Sequence, residues 1–569
     1  MLACLTITIN FRNDLLAAGN TDCYNYFLML MYFRRTQRKK KLQADLKANW
    51  GKPLNVRRNF NLINRYKTNF PGEDSLSTNT ANDLDLDSVF SYIDRTSSKV
   101  GQQYLYKNLH SIHTNPEYFE KLEAQIESLN QDEASREQIQ LKLFDLNNDD
   151  AYHLPELFAK KHQSLFKPLV EMYIKVAALI VFALVALLVI IPNQVYLIML
   201  FAALLANTVI YFINKNKIYN YIHSLPQLLA LYNVGNWIVN TGYVDIDDKV
   251  THSLAKLSKL KKSLSFINYQ SKVANDPTDL TYLISEWIKM FLLFEPRVFI
   301  SSINKVNQYL DDIKIVYDYV AQIDVAISVQ SVRDGLPYYC IPEIEAGSGK
   351  IIVKDLYHTL IENCVANSID SNIGQGVLIT GSNMSGKTTF IRAMAVNALL
   401  SQTIHTSLTT KYQAPPLNIL TSINMSDNIE EQKSYFQAEA LSVLHILDNS
   451  TADKPVKSLV IIDEIFRGTN TIERIASAKA VLSHLVQNEN FVFVSTHDLE
   501  LAKLLGDDFA VYSFEELMGD NRLVFDYQIK PGLLKNKNGI AVLQGLGYPP
   551  GVIEDAYTVS RQLREKYDI

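Results

Sequence analysis

Two apolar runs dominate the hydropathy pattern of the chain. Residues 176–191 carry no charge, and residues 195–213 have Asn207 and Thr208 as their most polar members; Pro192, Asn193 and Gln194 separate the two. At 16 and 19 residues, both approach the ~20 needed to cross a bilayer core as helix. The first holds 12 Val, Leu, Ile or Phe residues and the second 11. At about −0.3 to −0.6 kcal/mol each, the insertion terms are about −4 to −7 and −3 to −7 kcal/mol, which one Asn does not cancel. The alternative is a buried hairpin in a soluble core, but such helices usually keep a polar stripe, and these two are apolar all round. A transmembrane helical hairpin over 166–217 is expected. Lys160, Lys161, Lys167 and Lys175 precede it, Lys215 and Lys217 follow it, and its turn is uncharged, so both ends are expected on the cytoplasmic side.

The flanks of the hairpin are helical. Leu84, Leu86, Val89, Phe90 and Ile93 have amphipathic spacing, and Leu105 and Leu109 give another apolar face, so 81–165 reads as one helical region and 218–335 as a second. Within the latter, 254–264 is a basic amphipathic segment, read as a solvated helix face with a core side or as a surface for phosphates or lipid head groups. Met290 to Phe294 is a short apolar run expected to be helical core. Residues 1–80 are the least legible. Their apolar stretch 24–33 spans only about 15 Å as helix, too short to cross, and the basic cluster 34–41 follows it rather than preceding it as in a secretory signal. A partly disordered N-terminus with a solvated basic cluster is expected there, with a membrane-surface anchor as the alternative. Beyond Pro342 the pattern changes to short β-rich segments, and 336–569 reads as an α/β domain.

Composition narrows little. A chain of 569 residues, 47% hydrophobic and 20% charged, is a folded protein of about three or four domains. Its net charge of −5 gives no global case for nucleic acid, so any DNA contact would come from local basic faces. Cys4, Cys23, Cys340 and Cys364 are widely spaced, which fits a reducing compartment and argues against a disulfide framework or zinc site.

The chemistry gathers in the α/β part. Gly381, Ser382, Asn383, Met384, Ser385, Gly386, Lys387, Thr388 and Thr389 follow the apolar run 377–380 and match the phosphate-loop pattern G-x-x-x-x-G-K-[ST]. The glycines let backbone N–H groups turn inward on phosphate oxygens at a helix start. Lys387 reaches the β/γ-phosphates, and Thr388 is a Mg²⁺ ligand. The apolar strand 458–462 ends in Asp463 and Glu464, 76 positions after Lys387. There Asp463 is expected to support Mg²⁺ and Glu464 to polarise the water attacking the γ-phosphate. A second buried strand, 491–494, leads to His497, expected to sense the γ-phosphate. ATP and Mg²⁺ are the expected cofactors.

These residues resemble one family, the MutS-type ATPases best known for DNA mismatch repair and related to the ABC-type ATPases. The phosphate loop with Asn383 and Met384 inside it is similar to the family's own variant. Met425, Ser426, Asp427 and Asn428, followed by Ser434, Phe436 and Glu439, resemble its S-x-F-x-x-E element. Asp463 to Asn470 resembles its D-E-I-x-R-G-T-S. The resemblance runs from about 340 to 569 and implies a P-loop, ABC-type fold. It also implies a homodimer in which Ser434, with Phe436 and Glu439, completes the partner's ATP site. Gly539, Ile540 and Ala541, then 546–549 and the helical stretch 552–563, are similar to its dimerising helices. Residues 83–123 are similar, less specifically, to the start of its helical core and lever.

Where the chain departs from the family, His358-Thr359 stands for the usual His-Pro and Cys364 for the adenine-stacking aromatic. A core-like region beginning near 81 implies that the domain carrying the mismatch-reading Phe-x-Glu wedge is missing. The expected architecture is a C-terminal α/β P-loop ATPase domain, preceded by an all-α core and lever region that a transmembrane hairpin interrupts. The expected function is a membrane-tethered, DNA-binding ATPase of mismatch-repair type acting as a dimeric ATP-switched clamp. It would be a multi-pass protein of the cell membrane with the ATPase domain and both termini in the cytoplasm. The alternative is a membrane-associated ATP-driven switch that no longer uses DNA.

Overall fold

The structure is a computed structural model that describes residues 20–567 except 73–74, 164, 272–279, 383, 424–434, 520–521, 534–539, 541–542 and 545–546. The first apolar run lies in α1 (Pro168–Ile190) and the second opens α2 (Gln194–Thr241). Asn193 turns the chain between them, its side chain accepting from the Val195 N–H. The hairpin's second arm does not end near 213. It is the first part of a 48-residue helix, about 72 Å long, because polarity rises after Asn214 without any residue that stops a helix. Pro226 lies inside it and removes one N–H without ending it. The apolar residues of the hairpin point outward: in the most apolar window of each arm only 28% and 11% of the residues are buried.

Beneath the hairpin, α2 packs against α3 (Asp248–Ser271), α4 (Leu280–Phe291), α5 (Phe294–Val306) and α6 (Leu310–Gly335). In the basic segment, Leu254, Leu257 and Leu260 are buried while Lys256, partly exposed, pairs with the buried Asp312. That is the amphipathic division its spacing predicts. The run 290–294 is not one helix: α4 ends at Phe291, and Leu293, buried with φ 49°, turns the chain into α5. The long helix α6 is buried along most of its length. Residues 60–70 are not a loose tail but part of this core. Ile63 and Tyr66 are buried, and the Tyr66 ring stacks on Tyr317 at 4.9 Å, so their aromatic content outweighs the basic residues around them.

The α/β part holds two sheets. The larger has strand order β10-β9-β4-β8-β7-β6, with β6 (Leu417–Ser422) at one edge, and is parallel except for β10 (Arg522–Pro531), which runs antiparallel to β9 (Phe509–Gly519). Its central strands β4 (Gly376–Gly381), β7 (Lys457–Asp463) and β8 (Phe491–Thr496) are almost wholly buried. This is why they read as continuous apolar runs rather than alternations. Alternate residues still face opposite ways. Val377, Ile379, Ile461 and Phe493 join the core shared with the helical region, through α7 (Lys387–Thr403). Leu378, Val460, Ile462 and Val494 face α8 (Tyr435–Asn449) and α9 (Thr471–Gln487). A four-stranded sheet, in the order β1 (Glu343–Ile344), β5 (Lys411–Ala414), β2 (Lys350–Leu356), β3 (Asn367–Asn372), lies beside it. One hydrophobic cluster runs from Ile63 to Phe514, so the helical region and the α/β domain share a core.

Candidate active site

The site forms at the carboxyl ends of β4, β7 and β8, where an open parallel sheet leaves a crevice. After β4 the chain turns through the phosphate loop into α7. Gly386, with φ +104°, takes a conformation that disfavours side chains, and a Cβ there would come within 3.3 Å of the Tyr527 ring. Lys387 is buried, and its Nζ donates to the carbonyl oxygens of Gly381 and Ser382 at 2.8 and 2.7 Å. The Ser385 hydroxyl donates to Ser382 O at 2.9 Å and helps hold the turn. Met384 is exposed, and Thr389 lines the same cleft. Asn383, Ser434 and 425–428 lie outside the described residues.

The Thr388 hydroxyl donates to Asp463 Oδ2 at 2.8 Å, and the Ser495 hydroxyl donates to the other carboxylate oxygen. A hydroxyl and a carboxylate converging at the start of α7 are hard oxygen donors of the kind Mg²⁺ takes, so the residues present fit that ion. Glu464 follows at φ 54°, its N–H bonded to Ser495 O. His497 Nε2 is 2.8 Å from Glu464 Oε1, and Arg467 Nε is 2.8 Å from Oε2. Burial pushes this carboxyl up, but the His497 hydrogen bond and the charges of His497, Arg467 and Lys387 outweigh it and hold Glu464 below its ordinary value.

Phe436 and Glu439 sit against the catalytic turn of their own chain. Glu439 is buried and its carboxylate accepts the Phe466 N–H. Burial raises the Glu439 carboxyl, against the pull of the Phe466 and Arg467 N–H groups. Phe436 lies over Gly468, where a Cβ would come within 2.9 Å of its own. Thus of the three residues expected to act on a partner, these two have contacts in cis, because α8 and the 464–468 turn abut in one chain. Asn470 caps α9 through the Glu473 N–H, and Arg474 holds Asp498, next to His497, by two bonds of 2.9 and 2.8 Å.

The loop and Glu464 line one cleft of about 470 Å³, which continues past Tyr357, Ile361, Cys364 and Tyr527. Sequence reasoning missed Tyr527. It sits at φ 53° where the β10–β9 register shifts, and Asn367 pins the backbone at and just after it: Asn367 Nδ2 donates to Tyr527 O and Ile529 N donates to Asn367 Oδ1. A bulge of this kind re-aims one side chain and left no mark in the residue pattern. His358 is buried, which, with the charge of Arg392, lowers it to about 4.

A phosphate loop on a central parallel strand, with His at the end of the adjacent β8 and Asp-Glu at the end of β7 beyond it, defines a P-loop domain of ATPase type. Residues 377–564 match the family model for MutS domain V, and this domain belongs to the MutS family. It is 32% identical over 289 residues to the DNA mismatch repair protein MutS of Clostridium tetani, covering 48% of this chain and 32% of that protein. It is 26% identical over 333 residues to MutS protein homolog 4 of Mus musculus, covering 56% and 33%. The chain therefore spans about a third of the length of these curated relatives.

Proposed function

We propose that this chain is an ATP-hydrolysing, DNA-binding dimer of mismatch-repair type, held at the cell membrane by the α1–α2 hairpin with its α/β domain in the cytoplasm. The observation that carries the reading is that Lys387, Thr388 and Glu464 line one cleft, with Asp463 bonded to Thr388 and His497 to Glu464 behind them. The phosphates of ATP displace the carbonyls of Gly381 and Ser382 as partners of Lys387 and take the N–H groups at the start of α7. Thr388 and Asp463 would hold Mg²⁺, which when bound neutralises charge on the phosphates. Glu464, kept ionised by its neighbours, takes a proton from the attacking water once Arg467 releases it. His497 orients that carboxylate. The outward-facing apolar hairpin supports the tether. Binding of ATP between two protomers would close the dimer, and the helical region would carry the change outward.

A second reading is an ATP-driven membrane switch that does not use DNA. It is favoured by α2, one helix that runs from the hairpin into the core shared with the α/β domain. Steady-state ATPase rates of the full-length protein in lipid nanodiscs, with and without homoduplex, mismatched and branched DNA at two salt concentrations, separate the two. Glu464→Gln should keep ATP binding but lower turnover by about 10²–10⁴-fold; wild-type-like turnover removes Glu464 from this role. Salt-sensitive stimulation by DNA supports the first reading. Activity indifferent to every DNA supports the second.

A further inference from the structure

The helix α4 exposes two large apolar side chains, Trp287 and Ile288. Its sequence places apolar residues at 280, 283, 284, 287, 288 and 291, the stripe of an amphipathic helix. On that stripe Trp287 is 61% exposed and Ile288 50% exposed. The polar pair Glu286 and Lys289, 2.7 Å apart, lies on the opposite side of the helix by the 100° turn per residue.

The position of α4 along the hairpin is fixed by a polar contact. Asn207, fully buried, donates to the carbonyl of Phe291 at 2.6 Å and accepts from the Tyr173 hydroxyl at 2.7 Å. Asn207 lies about 20 Å along α2 from the hairpin turn, whereas the hydrocarbon core is about 30 Å thick. The end of α4 is thereby held about 10 Å inside the near boundary, the depth at which amphipathic helices rest, apolar face down, between headgroups and acyl chains. On α1, Leu169 and Met172 are exposed at the same end of the hairpin.

We propose that α4 is an interfacial helix whose Trp287 face occupies the headgroup and acyl boundary of the phospholipid leaflet that the hairpin enters. This rests on the hairpin being in the membrane and adds a third element of contact, one that lies on the leaflet instead of crossing it. Trp is suited to that boundary because its ring is apolar and its N–H is wet. The helix links α2 to α5, so nucleotide-driven movement of the core would reach the leaflet surface as well as the spanning helices.

The test uses the full-length protein in phosphatidylcholine vesicles whose chains carry bromine near the headgroup or near the chain end, since bromine quenches Trp emission at contact. The protein has three Trp residues, so wild type is compared with Trp287→Phe, and Phe182→Trp in the Trp287→Phe background reports on the hairpin. The expected result is strong quenching of wild type by the shallow bromines, lost in Trp287→Phe, with the deep bromines quenching Phe182→Trp. Deep quenching of Phe182→Trp without any Trp287-dependent shallow quenching overturns the interfacial helix and leaves the hairpin standing. Absence of both overturns the two together.

Discussion

At the scale of single residues, the site turns on how Glu464 is held. Its two oxygens are taken by different partners, His497 and Arg467, and its backbone sits in a strained conformation at φ 54°. That conformation costs about 1–3 kcal/mol, and Glu439 binding the Phe466 N–H helps to offset it. The His497 hydrogen bond is the largest of the effects that lower the Glu464 pKa against burial. Removing it in His497→Ala therefore moves that pKa up, so a larger fraction of Glu464 is protonated at any given acidic pH. The acid limb of kcat against pH should shift to higher pH in His497→Ala, with ATP affinity little changed. An unmoved limb would separate His497 from the base.

Among the elements, what could be read from the chain was what one segment decides by itself. The β4 and β7 strands, the phosphate loop and the apolar arms announce themselves, because burial on both faces writes a run of apolar residues and a P-loop needs its glycines and lysine at fixed spacing. What was not legible depends on distant partners: Tyr527 on its bulge, the membership of Ile63 and Tyr66 in the core, and the extent of α2. The contact between the helical region and the α/β domain was equally hidden. Arg333 makes two bonds of 2.9 and 2.6 Å to Glu123 and donates to His405 O and Thr406 Oγ1, while His405 Nδ1 is 2.8 Å from Glu123. Burial pushes the Glu123 carboxyl up, yet its bonds to Arg333 and His405 win and hold it at about 2. A carboxylate depressed in this way adds stability above its ordinary value of 4.5, lost as pH falls from there towards 2. Glu123→Gln leaves the buried Arg333 without its countercharge. Since Glu123 is partly exposed, the cost should be about 2 kcal/mol rather than the 3–5 of a fully buried pair. The α/β domain should melt about 4–8 °C lower, and the loss of stability between pH 4.5 and 2 should be shallower than in wild type. An unchanged melting temperature would show that the network is not structural.

For the whole molecule, the prediction is that two protomers share their sites. Helix Pro550–Tyr567 exposes Val552 and Val559, two turns apart on one side of the helix, an apolar pair suited to a symmetric partner. The resemblance places Ser434 in the partner's cleft, while Phe436 and Glu439 of the same element brace their own catalytic turn. If Ser434 docks on a partner's phosphates as the resemblance implies, one segment would touch both sites and link the partner's nucleotide to the turn that carries Glu464. The division is testable by mixing two inactive proteins. Lys387→Ala removes a protomer's own phosphate grip, and Ser434→Ala removes what it lends. If Ser434 acts in trans, each mixed dimer has one complete site, in the Ser434→Ala protomer. Random pairing should then restore about a quarter of wild-type ATPase in the mixture, because half the symmetric dimers are mixed and half their sites intact. If Ser434 acts in cis, no protomer in the mixture is whole and the activity stays at the level of the separate variants. Recovery that also disappears with Val552→Glu and Val559→Glu would place the contact through the C-terminal helix.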